Sequence, residues 1–180
     1  MNPSRTAAAR TTGGLDTRLL GIYLNDHLGA ATGGVERFGR VVRSAHGSAL
    51  GRALGPVAAE VREDRAALLD IMRDLGVPVR RAKVCAGWVA EKAGRLKLNG
   101  RLVRPSPLTP VVELEALRLA VEGKAAGWRT LRRLAETDRR LDAGRLDTLL
   151  ERARRQQDTV EQWRVRSVDR ALRADRAGGA

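Results

Sequence analysis

Aromatic side chains make up only 3% of this chain of 180 residues, with three Trp, one Tyr and one Phe. A β-sandwich draws more heavily on aromatic and β-branched residues, so Leu, Val and Ala must build whatever core there is, and they suit helix packing. Cysteine occurs once, at Cys85. A lone thiol excludes an internal disulfide and fits a reducing compartment, so a cytoplasmic protein is expected. Residues 1–14 lack the apolar stretch of a secretory signal, and no apolar run approaches the roughly 18 residues needed to cross a bilayer. No membrane partner follows from such a sequence. Gly-x-Gly-x-x-Gly, a phosphate-binding loop and a cysteine pair for zinc are all missing, and no cofactor is expected. Nucleophilic catalysis needs Ser or Cys beside His with an orienting acid. Cys85 has Lys83 and Trp88 as neighbours but no His, and reads as a small hydrophobe.

What is abundant is positive charge, a formal +13, and it is almost all arginine. Lysine occurs only at Lys83, Lys92, Lys97 and Lys124. An Arg-rich, Ala- and Gly-rich composition follows from GC-rich coding as readily as from a need to bind polyanions.

Four stretches carry helical periodicity. The first opens near Asp16, an N-cap residue, and runs to about Ser44 with Leu20, Leu24, Leu28, Ala31, Val35, Phe38 and Val42 on one stripe. Gly29, Gly33, Gly34 and Gly39 interrupt it, and either admit a neighbour closely or bend it. The second runs from about Ser48 to Leu75, its regular part beginning at Pro56, with Leu54, Val57, Val61, Asp64, Leu68, Ile71 and Leu75 in register. Gly76 followed by Pro78 stops it. The third starts with Thr109 as N-cap and Pro110 at the first helical position, and continues through Leu114, Leu117, Val121, Ala125, Trp128, Leu131 and Ala135. The fourth begins near Asp142 and carries Leu146, Leu149, Ala153, Gln156, Val160, Trp163 and Ser167. Residues 1–14 read as a disordered tail and 174–180 as a frayed end. The connection 77–107 is long and basic, with a short helix around Val84, Trp88 and Val89 and a turn at Asn99-Gly100.

Short turns join the first and second helices and the third and fourth, while the middle connection is long. That pattern predicts an all-α, antiparallel four-helix bundle, residues 15–173, with one long crossover between the second and third helices. In order, length and register the chain resembles the ferritin-like superfamily, loosely its YciF-like, stress-associated branch. Tyr23-Leu24-Asn25-Asp26-His27, Glu60-Val61-Arg62-Glu63, Lys83-Val84-Cys85 and Glu122 are the stretches that carry it. The resemblance implies a di-iron centre built on carboxylates and two Glu-x-x-His motifs. Here the residues three before the two histidines are Leu24 and Arg43, so no such motif exists, and Gln156-Gln157 stand where the family places ligands.

Three readings result. The leading one is a non-enzymatic bundle, a scaffold or interaction protein of stress-related character by resemblance only, with an unknown protein partner or a second copy as a homodimer. In it Asp64 and Gln156 form a structural polar layer, meeting each other or His27. A second is binding of nucleic acid or another polyanion through Arg80, Arg81, Lys83, Trp88, Lys92, Arg95, Lys97, Arg101 and Arg104, a run holding one acid, Glu91. A third is a reduced metal site drawn from Asp26, His27, Glu60, Glu63, Asp64 and Glu122.

Overall fold

Short polar side chains set three of the four helix starts. Asp16 accepts hydrogen bonds from the backbone N–H groups of Arg18 and Leu19, Ser48 from Gly51, and Asp142 from Arg145. Each satisfies donors that a helix N-terminus leaves unpaired. The computed structural model describes residues 15–80 and 106–173. These form α1 (Thr17–Ser44), α2 (Ala49–Asp74), α3 (Thr109–Leu134) and α4 (Ala143–Leu172), with no strand among the described residues.

Two boundaries differ from the sequence reading. Thr109 is not the cap of α3 but its first helical residue; Leu108 holds the cap position without a side-chain bond. The start of α3 is fixed instead by Ser106, whose carbonyl accepts from the Thr109 N–H at 2.8 Å and whose hydroxyl accepts from the Leu108 N–H at 3.3 Å. Pro56 lies inside α2, which begins at Ala49 and runs straight through it. Ser48 and the α1–α2 turn anchor the first turn of α2 so firmly that proline's missing N–H does not delay the helix. At the other end of α2, Gly76 takes φ +69°, the left-handed value that ends helices, as its place before Pro78 suggests.

Named contacts fix the directions. Tyr23 Oη donates to Thr130 Oγ1 at 2.9 Å, and Arg37 pairs with Glu113 at 3.5 Å, so α1 and α3 are antiparallel. Arg145 meets Asp70 at 3.2 Å and Gln156 meets Glu60 at 2.9 Å, so α2 and α4 are antiparallel as well. α1 packs on α2 and α3, α4 packs on α3 and α2, and the backbones of the diagonal pairs do not come close. The order along the chain is therefore up, down, down, up. α2 ends and α3 begins at opposite ends of the bundle, so the connection between them joins one end to the other. The all-α bundle predicted from periodicity is the fold observed. No described helix is long and apolar enough to cross a membrane.

Two apolar clusters fill the interior. One gathers Leu20, Leu24, Leu28, Leu68, Ile71, Met72, Trp128 and Leu146 where α1 and α4 start. The other gathers Phe38, Leu54, Val57, Val61, Leu114, Leu117, Val121 and Val160 toward the opposite end. Asn25, also buried, holds the exit of α2: its amide donates to the carbonyls of Gly21 at 2.7 Å and Pro78 at 3.0 Å and accepts the Arg80 N–H at 2.7 Å.

Leu54, which is fully buried, and Leu19, which is 60% exposed, test this assignment. Leu54→Ala is expected to cost ~2–5 kcal/mol in urea unfolding, whereas Leu19→Ala should change stability by less than ~0.5 kcal/mol.

Candidate functional site

Along α2, Glu60 and Asp64 stand one turn apart, and along α4 Arg152 and Gln156 do the same, so each pair shares a helix face. Antiparallel packing of α2 on α4 brings these faces together at mid-bundle, between the two apolar clusters. Asp64, whose side chain is 0% exposed, sits at the junction between Val61 of one cluster and Leu68 of the other. Gln156 donates from Nε2 to Asp64 Oδ2 at 3.1 Å and to Glu60 Oε2 at 2.9 Å. Arg152 donates from Nη1 to Asp64 Oδ1 at 3.2 Å and to Glu63 Oε2 at 3.0 Å.

The centre of the cluster is Lys124, reaching in from α3. Its Nζ donates to Asp64 Oδ2 and to Gln156 Oε1. Burial pushes its ammonium below the ordinary lysine value and the Arg152 guanidinium adds to this, while the Asp64 carboxylate and Glu60 oppose it. Both oxygens of Asp64 and the amide oxygen and nitrogen of Gln156 are thus bonded to side chains. A lysine stands among the carboxylates, and its bonds link α3 to α2 and α4.

The metal reading scatters on the structure. Of its six residues, Glu60, Glu63 and Asp64 come together, but in bonds to Gln156, Arg152 and Lys124. Asp26 is exposed on α1. Glu122 is exposed on α3, where it pairs with Arg129 at 2.8 Å and accepts from Gln157, and these bonds hold its carboxyl below the usual range. No group of three His, Cys, Asp or Glu among the described residues is arranged to hold a metal ion. The residues present do not fit a di-iron centre: the mid-bundle position that would need several anionic ligands already holds a lysine ammonium.

His27 stands apart from the polar cluster. Its ring tilts against Tyr23, with centroids 4.4 Å apart, and lies under Gly127 of α3, where a Cβ would come within 2.9 Å of Nδ1. Only glycine permits that approach. Burial lowers the His27 pKa below its ordinary value, and the neighbouring Asp26 charge only partly opposes this.

Of the proposed polyanion-binding run, Arg80 is described and is exposed, with its N–H on Asn25. Arg81, Lys83, Trp88, Lys92, Arg95, Lys97, Arg101 and Arg104 lie outside the described residues, as do the short helix and turn expected there and both chain ends.

Sequence reasoning did not single out Lys124, Arg152 or Asn25. For Lys124 a signal existed: it is the one lysine within the four helices of a chain whose other helical cations are all arginine. It also lies three residues after Val121 and seven before Leu131, on the inward side of α3. No family model matches this chain, and no curated protein or solved structure matches it either.

Two outcomes follow. Lys124→Met strips Asp64 of its nearest cation and should destabilise the fold by ~3–5 kcal/mol, while the triple variant K124M/D64L/Q156L should recover most of that loss; urea titration of both checks the pair. His27 is harder to protonate folded than unfolded, so the unfolded chain binds more protons below its pKa of about 6.5 and stability falls as pH drops through that value. His27→Gln should flatten this part of the stability profile between about pH 7.5 and 5.5, a range above the carboxylate titrations.

Proposed function

We propose that the protein is a non-enzymatic, ferritin-like bundle that serves as a scaffold or interaction module, its metal layer replaced by a lysine-centred polar layer. The observation that carries this reading is Lys124 Nζ between Asp64 and Gln156. A covalently tethered cation neutralises the buried carboxylate and occupies the space that a pair of metal ions would need. The up, down, down, up order with a lengthwise crossover is compatible with the ferritin-like arrangement.

The outer face of α3 supports an interaction role. Leu108, Val112 and Leu119 are 44%, 59% and 70% exposed, at spacings of four and seven that align them along one side of the helix. Isolated exposed apolar residues are ordinary, but an aligned set offers a partner helix a seam. The partner this reading favours is a second copy of the chain.

Both parts have direct tests. Purified protein should carry no stoichiometric iron or manganese by elemental analysis, and added Fe²⁺ or Mn²⁺ should leave its unfolding midpoint unchanged; a metal-dependent rise would defeat the scaffold reading. In sedimentation, the wild type should show a dimer that V112E/L119E converts to monomer with helicity intact.

A further inference from the structure

Among the described residues, the bundle wall between α1 and α3 is open. The two helices are bridged near one end by the His27 ring under Gly127 and near the other by the Arg37–Glu113 ion pair. By helix rise these bridges are about 15–20 Å apart. Along the interval several facing residues are small, among them Ala30, Gly34, Ala116, Ala120 and Gly123, and Leu119 stands exposed at the rim, so the gap is not closed by the described residues. The result is a cavity of about 1200 Å³ whose floor is the bundle's own core, including Leu24, Phe38, Val61, Val121 and Leu131. Ligand pockets in proteins run to roughly 300–1,000 Å³, so this space admits a lipid-sized molecule.

The charged groups of the lining specify what would enter. Trp128 lines the cavity and is only 3% exposed, yet its indole Nε1–H has no acceptor among the described residues. It lies beside Gly127 at the His27 end, about 20 Å by helix rise from Arg40 and Arg43, so a head group held by those arginines leaves it to the hydrocarbon end. The charged groups at the lip are unequal in their needs. Lys124 is neutralised by Asp64 and Arg37 by Glu113, and the remaining carboxylate is Glu36, itself in a polar interaction. Arg40, Arg43 and Arg62 line the same cavity and pair with no carboxylate among the described residues. Gly39 lets the Arg43 guanidinium lie down along the wall, within 3.3 Å of where a Cβ would stand. Guanidinium forks bind carboxylate or phosphate oxygens strongly.

We propose that the α1–α3 cavity binds a single-chain anionic amphiphile, its hydrocarbon over the apolar floor and its charged head on the arginines of the lip. This site goes beyond the scaffold reading; Leu119 of the α3 seam and Lys124 of the mid-bundle layer stand at its edge, but the arginines that would hold the head group belong to neither. Electrostatic complementarity disfavours a second copy here, since the chain and this lip are both basic.

The full chain, titrated calorimetrically with palmitate below its aggregation concentration, should bind one molecule per protein. Hexadecanol, with the same chain and no charge, should bind at least about tenfold more weakly, and R40A/R43A should lose a similar factor for palmitate. G34L/G123L should abolish binding. A Cβ at either glycine meets nothing within 4 Å, and leucine is the better helix former, so this variant keeps its fold while filling the space. The proposal is overturned if the wild type binds no monomeric palmitate or binds only vesicles of anionic phospholipid. It is equally overturned if G34L/G123L, shown folded by circular dichroism, binds as the wild type does, or if hexadecanol binds equally well.

Discussion

A carboxylate with no exposure to water has to be compensated, and the centre of this bundle is organised around compensating Asp64. Lys124 from α3 and Arg152 and Gln156 from α4 supply the cations and the amide that do so. The layer links three of the four helices at the boundary between two apolar clusters, each of which alone would tolerate some sliding of one helix on another. Hydrophobic burial supplies most of the drive to collapse but is indifferent to small shifts in register. A buried charge is not, because displacement by one turn would leave it unpaired. The layer therefore selects the observed alignment among the alternatives that the apolar stripes permit.

The same interaction distinguishes this bundle from one built around a pair of metal ions. In a di-metal bundle the anionic side chains are excessive until the ions arrive. Here the cation is part of the sequence, and the amide of Gln156 divides its bonds between acids and lysine. The carboxylate at the bundle's centre is neutralised from within the chain, and the contacts proposed for other molecules lie on its surface and between α1 and α3. α3 takes part in all three features: Lys124 inward, Trp128 and the small residues toward α1, and Val112 and Leu119 outward.

The opening between α1 and α3 has a local cause. Large side chains on a helix face close the groove to the next helix, whereas Gly and Ala close it only if the backbones approach. At Gly127 they do approach, around the His27 ring. Farther along, the Arg37–Glu113 pair spans the gap with long side chains, and the backbones stay apart. The glycines of α1 thus contribute less to tight helix packing than to an unfilled space.

By itself the sequence determined the four helices, the cap at Asp16, the starts near Ser48 and Asp142, and the seams broken at Asp64 and Gln156. Each of these is written in neighbouring residues at helical spacing. Errors arose where a turn rather than a residue type governed the outcome, as with Ser106 displacing Thr109 at the start of α3, and α2 continuing through Pro56. Tertiary structure alone decided that Lys124 would enter the centre, that Asn25 would hold residues 78–80, and that Asp26 and Glu122 would face away from the carboxylates of α2. Periodicity gives the direction of a side chain around its own helix but not the rotation and level of the helix opposite. Long, flexible side chains such as lysine take their place only once both are set.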